Sequence, residues 1–110
     1  EDLEEEINNS NTLSLLEEES PYAMIDRAKS KYEAWDDMLN EIYYLIETQL
    51  SNKEFEDFKN KQFKWLNYRE RMAQEQADKF EGMVFTEVQY NLTLAKLTEE
   101  RCYEIVNKYL

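Results

Sequence analysis

The chain contains no histidine. That removes the commonest general base, proton shuttle and transition-metal ligand, and with it most hydrolase designs. Cysteine occurs once, at Cys102, so no intrachain disulfide can form. With no histidine partner and an expected place on an apolar helix face, its thiolate is disfavoured as a nucleophile. A single glycine, Gly82, and a single proline, Pro21, leave little to make the tight turns of a sheet-rich fold, and no glycine loop cradles phosphate. Basic residues are scarce too: 13 Lys and Arg against 25 Asp and Glu give a net charge of −12. Such a balance excludes a face that neutralises nucleic-acid phosphates. No run approaches the roughly 20 apolar residues that span a bilayer, and no basic-then-apolar leader opens the numbering.

What is abundant points to helices. The helix formers Glu, Lys, Leu, Ala and Gln are plentiful, and the 42% apolar and 14% aromatic content of 110 residues suffices for one small core. The acidity is uneven: residues 1–20 carry eight acidic and no basic side chains, leaving −4 for the other ninety. Residues 1–20 are therefore expected to form an acidic tail or linker, in which Ser14 and Glu17 offer a weak cap for a short helix. Residues 21–110 are expected to form one helical domain.

Ser20 followed by Pro21 marks a helix start, because the serine oxygen accepts from an orphan amide and proline suits the first helical position. From there Ile25, Ala28, Tyr32, Trp35, Leu39, Ile42 and Ile46 recur at steps of three and four, which predicts a helix ending near Leu50. Ser51 and Glu54 form a capping box that opens a second helix. Its seam runs Phe55, Phe58, Gln62, Trp65, Arg69, Met72, Gln76 and Phe80, and it is expected to stop at Gly82. A third helix is expected from near Thr86, with Val88, Leu92, Ala95, Cys102, Ile105, Val106 and Tyr109 inward. The fold class is all-α: an antiparallel three-helix bundle with long first and second helices and an acidic N-terminal segment.

Polar residues interrupt these seams where a plain amphipathic helix would place Leu or Ile. Asp36, Leu39, Asn40 and Tyr43 share one helix, and Gln62, Trp65, Leu66, Tyr68 and Arg69 the next. Folding the chain back about residue 52 sets Asp36 near Arg69 and Asn40 near Trp65. A charge-assisted Asp36–Arg69 pair is expected, with Asn40 and Gln62 bonding across the same interface. Tyr43, Tyr44, Tyr68, Tyr90, Tyr103 and Tyr109 cannot all face one core, so several are expected at the surface. The carboxylates lack the alternating oxygens and glycine of a calcium loop. No catalytic residue, metal or cofactor is expected, and the chain is not read as an enzyme.

The order Asp36-x-x-Leu39-Asn40-x-x-Tyr43, Gln62-x-x-Trp65-Leu66-x-Tyr68-Arg69-Glu70 and Leu97-Thr98-x-x-Arg101 resembles the lysozyme-inhibitor LprI-like family of small secreted or lipid-anchored bacterial proteins, over Tyr22 to Leu110. The resemblance implies a structural role for Asp36, Leu39, Asn40, Tyr43, Gln62, Trp65, Arg69, Thr98 and Arg101. It implies an extracytoplasmic place, with anchoring through a removed N-terminus, and a cationic muramidase as protein partner. Contact candidates beside the motifs are Tyr68, Glu70, Glu99 and Glu100. Family members usually carry several stapling cysteines, and Ala73 stands about where one is expected, which suggests a cysteine-poor branch. The alternative is a helical envelope module that binds another protein or acts as a scaffold without inhibiting lysozyme.

Overall fold

A computed structural model of the chain describes residues 20–110; the Ser14–Glu17 cap and the acidic segment before Ser20 lie outside the described residues. These form three helices, α1 (Pro21–Gln49), α2 (Asn52–Ala77) and α3 (Met83–Tyr109). Ser20 caps α1, its side chain accepting from the Ala23 amide at 3.1 Å. Between α1 and α2 the chain turns within two residues, Leu50 and Ser51. The capping box is complete: the Glu54 amide donates to Ser51 Oγ at 3.2 Å, and the Ser51 amide donates to Glu54 Oε1 at 3.1 Å. The same bonds hold the Glu54 carboxyl below its ordinary range.

The second junction departs from expectation. Helix α2 ends at Ala77, and bonds from Lys79 to the Gln76 carbonyl and from Phe80 to that of Ala77 tighten the chain into a turn. Ala77 is the last α2 residue with a neighbour to bury against; Asp78, Lys79, Phe80 and Glu81 are exposed, so nothing tertiary rewards further helix. Gly82 does not close α2. It precedes α3, at φ +89°, a conformation that L side chains rarely adopt. Helix α3 consequently starts at Met83, one turn before the expected Thr86. Thr86 instead donates its hydroxyl to the Gly82 and Phe80 carbonyls, at 2.9 and 3.1 Å.

The packing is centred on α3. Helix α3 contacts both α1 and α2 extensively, whereas α1 and α2 meet only slightly. Against α2 the pairings run in opposite order, Phe58 with Tyr109, Gln62 with Arg101 and Glu70 with Tyr90. Against α1 they run in the same order, Ala28 beside Val88 and Leu92, then Trp35 beside Tyr103. The core joins Leu39, Ile42 and Ile46 of α1, Phe58 of α2, and Cys102 and Ile105 of α3. Around Phe58 the rings of Tyr43, Phe55 and Tyr109 lie 5.2 to 6.2 Å away. Three residues expected inward are exposed: Phe80, Leu92 and Val106. On α3 the inward stripe is rotated toward Asn91, Thr98 and Arg101, because the buried face must serve two helices and a polar cluster.

Candidate functional site

Arg69 joins all three helices. Its guanidinium donates to Asp36 Oδ1 of α1 at 2.9 Å and to Thr98 Oγ1 of α3 at 3.2 Å. The Arg69 side chain is 8% exposed and that of Asp36 33%, so the pair is desolvated mainly on its cationic side. Thr98, fully buried, donates onward to the Leu94 carbonyl at 2.7 Å. A second buried arginine, Arg101, donates from Nε to Gln62 Oε1 at 3.0 Å and pairs with Glu104. Both guanidinium groups lie against the Trp65 indole, 5.1 and 5.8 Å from its ring centre, where the negative ring face offsets their mutual repulsion. Arg69 also stands 5.2 Å from the Tyr32 ring. Its Nε is buried with no partner among the described residues.

Eight of the nine motif residues thus meet: Asp36, Gln62, Trp65, Arg69, Thr98 and Arg101 in the polar cluster, Leu39 in the adjoining core, with Tyr43 packed on that core. The expected Asp36–Arg69 pair is present. The expected bond between Asn40 and Gln62 is not: Asn40 is exposed, and the Gln62 oxygen is taken by Arg101. The reason is geometric. With α1 and α2 held apart, an amide on α1 does not reach across, while α3 lies between and supplies the donor. The sequence pattern names Thr98 and Arg101 but not their partners; it places Tyr32 only in the α1 seam and Tyr90 only among the surplus tyrosines, and Glu104, outside the motif spacing, carries no signal.

Separation of α1 from α2 leaves a groove of about 400 Å³ over this cluster. Tyr43, Tyr44 and Asn40 line its α1 wall; Gln62, Phe63 and Leu66 line the α2 wall. Lys59 stands at the edge, its ammonium 2.6 Å from Glu56.

The contact candidates fall at separate places. Tyr68 is 40% exposed on α2, with the Arg71 guanidinium 5.8 Å from its ring. Glu70 accepts the Tyr90 hydroxyl. Glu100 borders a shallower groove of about 280 Å³ with Met72, Gln76 and Leu97. Glu99 is half-buried on α3; burial, then the charges of Asp36 and Glu99, push the Cys102 thiol up to about 11. Of the six tyrosines that cannot all face one core, several are exposed as expected, Tyr44, Tyr68 and Tyr103, while Tyr43, Tyr90 and Tyr109 are half-buried.

The Tyr90–Glu70 bond, with burial added, pushes the Tyr90 phenol up to about 12. Folding favours the neutral phenol, so this contribution is full below the ordinary tyrosine value of 10.0 and is lost as pH rises toward 12. In an ultraviolet titration Tyr90 is expected among the last tyrosines to ionise, and Tyr90→Phe should delete that late component. An unchanged late limb in the variant would refute the bond.

Among the described residues no group of three or more Cys, Asp or Glu is placed to hold a metal ion, and no helix is long and apolar enough to cross a membrane. Three helices tied through two buried arginines and one indole define a small all-helical module whose polar pattern is its internal fastening. The chain belongs to the family described as Lysozyme inhibitor LprI, which it matches over residues 16–105. No curated protein and no solved structure matches it.

Proposed function

We propose that this protein is an extracytoplasmic inhibitor that binds and blocks a cationic muramidase. The observation that carries the reading is the family match, which spans residues 16–105. The net charge of −12 and pI near 4.4 support it, because an acidic protein is steered toward a cationic one, with association slowing as salt rises. Tyr68, Glu70, Glu99 and Glu100 are the contact residues in this reading. Helices α1, α2 and α3 act as an antiparallel bundle that presents them on a rigid frame, and the opposite order of the α2–α3 pairings supports that arrangement. Attachment to the envelope would come through residues ahead of the helical domain.

Titrating the protein into a lysozyme cell-wall lysis assay, at low and at physiological salt, tests the proposal. Dose-dependent inhibition with a stoichiometric end point, weaker at higher salt, is the expected result. Tyr68→Ala and Glu100→Gln should each weaken it without loss of helicity. Absence of inhibition at either salt by protein shown to be folded would sink the reading and favour a helical envelope scaffold or protein-binding module, in keeping with the lone Cys102.

A further inference from the structure

The groove between α1 and α2 is more than a gap in the packing. Gln62 is 6% exposed, and the bond from Arg101 Nε fixes which end of its amide faces α3. Its NH₂ group is left with no acceptor among the described residues, yet it is not sealed from solvent. A nearly buried donor that opens only on the groove is met there either by water or by an acceptor on a ligand. Asp36 stands in the same groove with Oδ1 engaged by Arg69 and its second oxygen unpartnered among the described residues. Asn40 adds an exposed amide.

Two aromatic rings border these polar groups, one on each wall. Tyr44 is 68% exposed and Phe63 66%, so both rings present open faces to the groove. Volume also fits, since about 400 Å³ lies within the roughly 300–1,000 Å³ of small-molecule sites. A ligand matched to this set carries hydroxyl donors for the Asp36 carboxylate, oxygen acceptors for the Gln62 and Asn40 amides, and flat C–H faces for the rings. It carries no net negative charge, because the Arg69 cation is already paired with Asp36 and Lys59 with Glu56. We propose that the α1–α2 groove is a binding site for a neutral oligosaccharide, held by the Asp36, Asn40 and Gln62 side chains between the Tyr44 and Phe63 rings.

The test is a ¹H–¹⁵N correlation titration of the intact protein with N,N′,N″-triacetylchitotriose and, separately, with cellotriose. The expected result is saturable shifts of the Asn40 and Gln62 side-chain amide signals with at least one of them. Tyr44→Ala and Phe63→Ala remove exposed rings, so both variants should stay folded. Each should weaken binding roughly three- to tenfold. Silence from both saccharides at millimolar concentration overturns the proposal, as does binding that both variants leave intact. Groove signals that respond to lysozyme and to neither saccharide would also overturn it, assigning the groove to a protein partner instead. The lysis assay reads the inhibitor proposal independently, so failure of one does not imply failure of the other.

Discussion

Arg69→Ala is expected to destabilise the domain by about 3–4 kcal/mol, enough to lower its melting temperature by tens of degrees if unfolding is two-state. Three losses combine. The bonds to Asp36 and Thr98 disappear, each charge-assisted bond contributing roughly 1.5–3 kcal/mol before compensation. Contacts with the Trp65 and Tyr32 rings disappear as well, at roughly 0.5–2 kcal/mol each when desolvated. A cavity replaces a side chain that is 8% exposed at the meeting point of three helices. Partial relief comes from Asp36, which is one-third exposed and can rehydrate, and from the unpartnered Arg69 Nε, whose desolvation no longer has to be borne. Asp36→Ala should cost a comparable amount, about 3–5 kcal/mol, because it leaves the nearly buried Arg69 cation without its counter-charge, with only Thr98 and the two rings to offset it. Arg69→Lys should rescue only part of the loss, since both bonds leave the single Nη1 nitrogen, which an ammonium can imitate, but the planar group lying against the Trp65 and Tyr32 rings is gone. Urea unfolding followed by circular dichroism measures all three. Arg69→Ala within about 0.5 kcal/mol of the parent would mean that the guanidinium does not bridge the helices in solution.

Phe58→Ala should cost about 3–5 kcal/mol, the usual loss for truncating a fully buried phenylalanine. Phe58 is 1% exposed and again unites all three helices, with Tyr43 from α1 and Tyr109 from α3 against its ring. The Tyr109 contact is edge-on at 5.2 Å and 81°, a favoured aromatic geometry, and it ties down the last turn of α3. Fraying of that turn should accompany the substitution, read as faster amide hydrogen exchange near residues 105–109. Phe63→Ala is the matched control. It deletes the same side chain on the same helix, but from a position 66% exposed, so a change within about 0.5 kcal/mol is expected. Equal costs at the two positions would contradict the orientation of α2.

Much of this arrangement was legible beforehand. Ser20-Pro21 and the Ser51–Glu54 box announce their helix starts through local bonds, which depend on residues three apart and little else. The Asp36–Arg69 pair was also readable, because a turn of two residues, Leu50 and Ser51, places two flanking helices in a predictable register. For Gln62 the seam points to Asn40 where the structure supplies Arg101, since the spacing shows that a position faces inward but not which neighbour fills the space. Phe80, Leu92 and Val106 were expected inside on spacing alone. Their exposure reflects where α3 settles, and an apolar residue on a helix edge carries no mark of that choice.

From its residues alone, this chain determined three helices, the two N-terminal caps, the absence of histidine chemistry and the family to which its motifs point. All of these follow from local backbone bonding, side-chain period or composition. Tertiary structure alone decided that α3 lies between α1 and α2, that two arginines share one indole, and that a groove opens above them. Those outcomes depend on how three amphipathic faces divide a limited apolar area among themselves, a competition settled by packing and by the need of buried polar groups for partners.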